Sequence, residues 1–223
     1  MEVNIAILMA DLSGYTALTE THGSVSAADL IDKYFRIAES CLVGESKIHE
    51  RKGDEIMIVS NSPGALLATA LKLEASTVYE ENFLQIHGGL HFGKVLKRTG
   101  NYYGSAINLA SRIAAKAAPG TYWCSDDFVH SLKDKSHSTF FSKGIHKFKN
   151  MTEVKEVYEV GIDRINANYI DPVCRMIILK SENVIYYPGK SEHHYFCSRQ
   201  CLEIYKKDYK ASQNLLVNKF AMS

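Results

Sequence analysis

The chain has 223 residues, of which 46% are hydrophobic and 23% are charged, and its formal net charge at pH 7 is +1. This length allows one large core and a smaller module, and the composition excludes a largely disordered protein. A near-neutral charge favours neither a nucleic acid nor an anionic membrane as a partner. The early apolar run at residues 5–10 is too short to span a bilayer, and no signal peptide with a charged and then an apolar segment precedes it, so we expect a soluble cytoplasmic protein.

The first elements are a strand, a helix and a hairpin. Residues 3–10 predict a strand buried on both faces, followed by a turn. A helix opened by Ser24 or Ser26 comes next, and apolar residues recur along it at helical spacing. Two extended runs then flank Lys52-Gly53-Asp54, a segment that is typical of a tight hairpin turn.

The second half of the predicted fold repeats this alternation. Pro63 predicts the start of a helix that ends near Tyr79. Strands are expected at about 84–90 and 94–97, and a helix at about 104–117. Shorter elements fill 120–160. Together these elements predict an α+β fold in which helices cover one face of a mainly antiparallel sheet.

Two acidic residues stand at the ends of predicted strands. Asp11 closes the first strand, and Asp54 lies in the hairpin turn. If these strands are neighbours, both carboxylates lie at one edge of the sheet and repel each other unless a cation joins them, for which Mg²⁺ is the natural candidate. The alternative is that Asp11 caps a turn and Asp54 is an ordinary turn residue.

The helix at 104–117 carries a polar pair. Asn108 and Arg112 are four residues apart and share the face opposite its apolar stripe. Alone, such a pair predicts a solvated helix face. Combined with two Asp residues at strand ends, it could supply an amide and a guanidinium to a phosphate-transfer site.

Four segments resemble the successive motifs of class III nucleotidyl cyclase catalytic domains. They are MADLSGYT, ERKGDEIMIVS, HGGLHFGKV and YYGSAINLASRIAAKAAPG, in the family's order, and the likeness spans roughly residues 3–160. The resemblance implies a ferredoxin-like βαββαβ core that is active as a homodimer, with each site at the subunit interface. The substrate implied is a nucleoside triphosphate.

The resemblance also assigns roles to the residues above. It implies that Asp11 and Asp54 hold two Mg²⁺ or Mn²⁺ ions against the triphosphate. Asn108 would orient the ribose, and Arg112 would stabilise charge at the α-phosphate. Asn108 and Arg112 would come from the opposite subunit.

Phosphate contacts are expected in two places. The resemblance implies a triphosphate-binding lysine in the segment GIHKFKN, where Lys149 aligns best and Lys147 is the second choice. The backbone amides of the turn Ser13-Gly14-Tyr15-Thr16 would cradle phosphate oxygens.

Two positions match those that select the base in this family. Glu50 stands where adenylate cyclases have Lys and guanylate cyclases have Glu, and a carboxylate can accept hydrogen bonds from the guanine edge. Asn101 is the second position, and an amide there can both donate and accept. Glu50 therefore favours guanine. The alternative is an exposed Glu on a charged hairpin.

The C-terminal segment contains three of the five cysteines. Cys174, Cys197 and Cys201 follow a C-x22-C-x3-C pattern, which fits metal ligation better than a disulfide framework. A segment of about 40 residues rarely folds alone, so we expect a metal or docking onto the larger domain. Three reduced, buried cysteines that only pack like small apolar residues are the alternative.

This segment resembles YHS domains, which are small treble-clef-like modules. The likeness includes DPVC and YFCS followed by a third cysteine, although Arg175 stands where that family usually has Gly. Zn²⁺ or another soft metal is the expected ion. The candidates for a fourth ligand are His193, His194 and Asp171.

The expected organisation is a cyclase domain at 1–162, a linker at 163–170, a cysteine module at 171–211 and a tail at 212–223. Two functions remain open. The first is an enzyme that converts a nucleoside triphosphate to a 3′,5′-cyclic nucleotide and pyrophosphate. The second is a cyclase-like module that binds nucleotide or metal without turnover. The presence together of Asp11, Asp54, Asn108 and Arg112 favours the enzyme.

Overall fold

The computed structural model describes residues 1–136, 138–162, 168–180, 184–189 and 192–208. Within these residues an eight-stranded sheet forms the centre of the molecule, in the order β2-β3-β1-β4-β6-β8-β7, with β5 beside β4. Its pairs are antiparallel apart from β4 and β6. The strands are β1 (Glu2–Leu12), β2 (Lys47–Lys52), β3 (Glu55–Ser60), β4 (Ile86–Arg98), β5 (Asn101–Tyr103), β6 (Tyr122–Ser125), β7 (Phe140–Lys147) and β8 (Val154–Val160).

The helices pack on both faces of this sheet. They are α1 (Tyr15–Cys41), α2 (Pro63–Thr77), α3 (Ser105–Ala114), α4 (Asp126–Ser131) and α5 (residues 199–208). Among the described residues, no helix is both long and apolar enough to cross a membrane. Alternate residues of β1 point to opposite faces, so Leu8 joins the core under α1 and α2, while Ile7 joins the core under α3.

The chain order and the strand order β2-β3-β1-β4 confirm the ferredoxin-like βαββαβ core. The expectation that helices cover a single face is wrong, because α3 packs on the face opposite α1 and α2. The stripe of small apolar residues on α3 is what allows this second layer, since Ala106, Ala110 and Ala114 all lie buried against the sheet.

The first helix begins earlier than the sequence predicted. It starts at Tyr15 and bends at Gly23, whose φ of 83° and ψ of 167° are not helical, so Ser24 opens only its second part. The first part was missed because its N-cap, Gly14, offers no side chain to accept a capping hydrogen bond, and because only Leu18 of its residues is buried.

The two strands predicted at 84–90 and 94–97 are one continuous strand, β4. Residues 91–93, which lie between the two predicted strands, pair with β1 without a break in register. The glycines of β4 allow close packing. A Cβ added at Gly89 would lie 2.3 Å from the carbonyl oxygen of Ala110 and from the amide nitrogen of Ala114. The backbone of α3 therefore rests directly on β4, and this contact fixes the distance between the helix and the sheet.

The C-terminal residues extend the main core. β9 (Tyr169–Ile170) pairs with β10 (Ile177–Ile178), and β11 (Ile185–Pro188) pairs with β12 (His193–Phe196). The amide of Ile177 donates to the carbonyl of Phe83 at 2.7 Å, and Cys174, Met176 and Phe196 belong to the same hydrophobic cluster as α1 and α2. The linker expected at 163–170 therefore ends in a strand, because its last two residues form β9. Residues 163–167 and 209–223 lie outside the described part of the chain.

The glycine contact between β4 and α3 gives a first prediction. Gly89→Ala should lower the free energy of unfolding by about 3 kcal/mol, because both neighbouring atoms belong to the helix backbone and cannot rotate away. Gly64→Ala is the matched control, since a Cβ at this position of α2 meets no atom within 4 Å. Urea unfolding of both variants measures the difference, and equal stabilities would contradict the close contact.

Candidate active site and cysteine cluster

The structure brings Asp11 and Asp54 to one end of the sheet. The register of β1 with β3 reaches Ala10 opposite Ile56, so Asp11 lies beside the tight turn that carries Asp54. Gly53 forms this turn with a φ of 62°, a conformation that glycine adopts without strain. Burial and the negative charge of Asp54 together raise the pKa of Asp11 to about 7.

The donor set fits a hard divalent cation. The Oδ1 atom of Asp11 is buried and has no hydrogen-bond partner within the described structure. A buried carboxylate oxygen without a donor is costly, and a second carboxylate beside it adds repulsion. Mg²⁺ and Mn²⁺ bind such oxygen ligands and remove both costs, so Asp11 and Asp54 are suited to hold one of these ions.

His87 is a neighbour of this site that sequence reasoning missed. It faces Asp11 in the register of β1 with β4, and its Nε2 lies 3.9 Å from the Oδ2 of Asp11. Its Nδ1 lies 2.9 Å from the Oγ of Ser13, and burial lowers its pKa. His87 is the first residue of the motif HGGLHFG, but the sequence does not show that β4 pairs with β1, and only this pairing places His87 beside Asp11.

The turn at Ser13-Gly14-Tyr15-Thr16 follows Asp11 directly and leads into α1. The amide of Ser13 donates to the carbonyl of Gln85 at 2.8 Å, so this amide is already used within the chain. Gly14 has a φ of 96°, and no side chain caps the first amides of the helix. The start of α1 therefore directs free amides and the positive end of its dipole to the same region as the two Asp residues.

Asn108 and Arg112 lie on the side of α3 that faces away from the sheet. Asn108 is exposed, and the Nε atom of Arg112 is buried without a hydrogen-bond partner in the described structure. No hydrogen bond or ion pair among the described residues joins either one to Asp11 or Asp54. Within the described part of one chain, the acidic pair and the polar pair therefore make no direct polar contact with each other.

The two candidate lysines differ in their contacts. Lys147, at the end of β7, donates from its Nζ to the carbonyl of Thr152. Lys149 is exposed in the turn that follows, where it has no polar partner among the described residues. Lys149 is therefore the more available of the two lysines to bind a phosphate group.

Glu50 and Asn101 line one cavity of about 370 Å³. Glu50 comes from β2 and Asn101 from β5, and Met57 and Ile107 contribute apolar walls. The cavity thus combines a carboxylate, an amide and apolar side chains, which is a suitable lining for a planar heterocycle.

The three C-terminal cysteines meet a histidine that the sequence did not reveal. The ligand atoms of His22, Cys174, Cys197 and Cys201 all lie within 4.8 Å of one another. The three suggested fourth ligands, His193, His194 and Asp171, are not members of this group. Asp171 instead accepts hydrogen bonds from the amides of Cys174 and Cys197, and the two histidines lie on β12.

Comparison with known proteins identifies the family. The adenylate and guanylate cyclase catalytic domain family matches residues 2–160. The chain therefore belongs to this family, which confirms the resemblance of the four motifs. The resemblance of the C-terminal segment to YHS domains stays a prediction, since the match ends before that segment.

Individual relatives agree with this assignment. An adenylate cyclase from Glutamicibacter nicotianae is 33% identical over 157 residues, which are 70% of this chain and 39% of that protein. The chain thus spans well under half of this curated relative. The crystal structure of an adenylate/guanylate cyclase/hydrolase from Silicibacter pomeroyi is 25% identical, with a TM-score of 0.58 and coverage of 74% of this chain and 99% of that one. A Trypanosoma brucei adenylate cyclase in its monomeric state shares the fold at 18% identity, with a TM-score of 0.65 and coverage of 70% and 87%.

The raised pKa of Asp11 predicts how stability depends on pH without metal. In the folded protein the carboxyl group of Asp11 holds its proton more tightly than an ordinary Asp, whose pKa is 3.8. Ionisation of Asp11 therefore lowers the free energy of unfolding as the pH rises towards 7. In a buffer with chelator, Asp11→Asn should therefore raise Tm more above pH 7 than near pH 5. Asp29→Asn, at an exposed position of α1, is the control. A gain that is the same at both pH values would contradict the raised pKa of Asp11, which burial and the charge of Asp54 cause.

Proposed function

We propose that this protein is a nucleotidyl cyclase that converts a nucleoside triphosphate to a 3′,5′-cyclic nucleotide and pyrophosphate at a homodimer interface. The observation that carries this proposal is the pair Asp11 and Asp54 with its unsatisfied buried oxygen, at the start of a helix with free amides. In the reaction, the ribose 3′-oxygen loses its proton and forms a bond to the α-phosphorus. The bond from that phosphorus to the bridging oxygen breaks, and pyrophosphate leaves.

The residues of one chain would bind the triphosphate. Asp11 and Asp54 would hold Mg²⁺ or Mn²⁺, which supplies charge neutralisation at the phosphates and lowers the pKa of the attacking hydroxyl. The amides after Ser13 would donate to phosphate oxygens. Lys149 would contribute its free ammonium group to the leaving pyrophosphate.

The partner chain would complete the site. The guanidinium of Arg112 has an unpaired Nε and can donate to the α-phosphate as negative charge develops there, while Asn108 can hold the ribose. Among the described residues of one chain, no hydrogen bond or ion pair joins either of them to the acidic pair. A dimer also covers apolar surface, because Phe141 and Ile145 are exposed on β7, which is an edge strand of the sheet.

A mixing experiment tests the shared site. Asp54→Ala and Arg112→Ala proteins should each lose at least about a hundredfold in cyclic nucleotide formation. After subunit exchange, an equimolar mixture should recover about a quarter of wild-type activity, since half of the dimers are mixed and each has one of two sites intact. Mass spectrometry of the products measures the recovery.

The matched control is a mixture of Asp54→Ala with Asp11→Ala. Both changes damage the same half of the site, so every dimer would lack an intact acidic pair and activity should stay low. Recovery in this control, or none in the first mixture despite proven exchange, would overturn the interfacial site. Nucleotide binding by the wild type without product would favour a non-catalytic binding module.

A second experiment tests which base of the nucleoside triphosphate the enzyme selects. Glu50 can accept hydrogen bonds from guanine N1–H and N2–H, so we propose a preference for GTP. The name of the Glutamicibacter nicotianae relative points instead to ATP. Competition among ATP, GTP, CTP and UTP with Mn²⁺ decides between them. Glu50→Lys with Asn101→Asp should move kcat/KM from GTP towards ATP, and a wild-type preference for ATP would refute the assignment to Glu50.

A further inference from the structure

The geometry of the cysteine cluster matches a tetrahedral metal site. The Sγ of Cys197 lies 3.4 Å from that of Cys174 and 3.6 Å from that of Cys201, and the Nε2 of His22 lies 3.6 Å and 3.5 Å from the sulfurs of Cys197 and Cys201. Around Zn²⁺, the expected separations are about 3.8 Å between sulfurs and about 3.6 Å between sulfur and nitrogen. The sulfurs are too far apart for a disulfide, which needs about 2.05 Å.

His22 belongs to α1 and reaches the cluster because the helix changes direction just after it. Gly23 has a φ of 83°, and its position is open, since a Cβ there would meet nothing within 4 Å. The glycine is thus required by its backbone conformation, and this conformation ends the first part of α1 at His22. The neighbouring Thr21 carbonyl accepts a hydrogen bond from the side chain of Gln200, on α5.

The cysteines are held in place by the protein itself. Asp171 is fully buried, and its carboxylate accepts hydrogen bonds from the amides of Val173, Cys174 and Cys197 at 2.8, 3.3 and 2.8 Å. This one side chain therefore links the two segments that carry the cysteines. Second-layer hydrogen bonds of this kind orient metal ligands.

We propose that His22, Cys174, Cys197 and Cys201 form one structural Zn²⁺ site that ties the first part of α1 to the C-terminal strands. Three thiolates and one imidazole are a common ligand set for structural zinc, and they complete its coordination without water. Because α1 begins at the turn Ser13-Gly14-Tyr15-Thr16, called the phosphate turn below, the site also anchors that turn. This second consequence rests on the proposed cyclase function, whereas the metal site itself does not.

A second contact joins the cluster to the phosphate turn. Arg175 directly follows the ligand Cys174 and has a φ of 69°, which a residue with a Cβ rarely adopts. Its Cβ and Cγ lie 2.5 Å from where a Cβ on Gly14 would be, so its stem rests on the residue that caps α1. Its guanidinium is exposed and has no polar partner among the described residues. The first part of α1 is thus held at Gly14 by Arg175 and at His22 by the metal.

Elemental analysis of the full-length protein tests the metal site. The wild type, purified without chelator, should contain about one Zn²⁺ per chain, and its Co²⁺ form should show the intense visible bands of a tetrahedral thiolate site. His22→Ala should lose zinc or change these bands, while His22→Cys should keep the metal with an altered spectrum. His194→Ala, outside the cluster, is the control and should match the wild type.

These measurements can refute the site without any assay of cyclase activity. A wild-type protein that binds no zinc after incubation with Zn²⁺ would show that the cysteines only pack together. A His22→Ala protein with full zinc content and an unchanged Co²⁺ spectrum would remove His22 from the site. Thermal unfolding of His22→Ala and His22→Cys separates loss of the ligand from loss of the fold.

Binding of inorganic tripolyphosphate with Mg²⁺ tests the link to the phosphate turn. Arg175→Gly relieves the unusual φ and removes the stem from Gly14, so it should keep its zinc and bind tripolyphosphate roughly tenfold more weakly. Arg199→Ala, an exposed change on α5, is the control for a loss of one positive charge. An unchanged Kd in Arg175→Gly would overturn the link. If wild type and variants alike fail to bind tripolyphosphate, the phosphate turn itself is refuted, while the zinc result still stands.

Discussion

The repulsion between Asp11 and Asp54 is the constraint on which the rest of the arrangement depends. The chain places both carboxylates at one end of its central sheet and leaves one oxygen without a donor, although His87 and Ser13 lie close by. The rigid core of β1, β3 and β4 holds the carboxylates there against their repulsion. A free energy cost of this kind is typical of sites whose ligands are organised before the ion and substrate arrive.

The second layer of the sheet explains why the remaining groups face outward. Because Gly89 lets the backbone of α3 rest on β4, the small side chains of the helix are buried in that contact. Its longer polar residues, Asn108 and Arg112, can then only point away from their own sheet. In the proposed homodimer, the same close packing that stabilises one chain would present half of a site to the other.

Sequence reasoning placed Asp11 and Asp54 correctly at one end of the sheet, because a strand end and a tight turn are both marked in the sequence and the two strands are neighbours. Glu50 and Asn101 line one cavity, and their role in selecting the base stays a prediction. It failed where a contact joins residues that are far apart along the chain and share no motif. His22 lies 175 residues from Cys197, and no spacing rule joins them. The sequence also predicts two strands that omit residues 91–93, whereas the register of β4 with β1 is continuous through them.

The shared core at the C-terminal end has a consequence for how the chain is synthesised. Phe83 and Leu84 are fully buried, and both contact the strand that begins at residue 177 or its preceding bridge at Met176. Until residues 176 and 177 have been synthesised, Phe83 and Leu84 lack the contacts that they make with that segment, and His22 lacks Cys201, 179 residues later. The emerging chain therefore exposes part of its apolar surface until residues 176–201 have been synthesised, and exposed apolar surface of this kind favours aggregation of nascent chains.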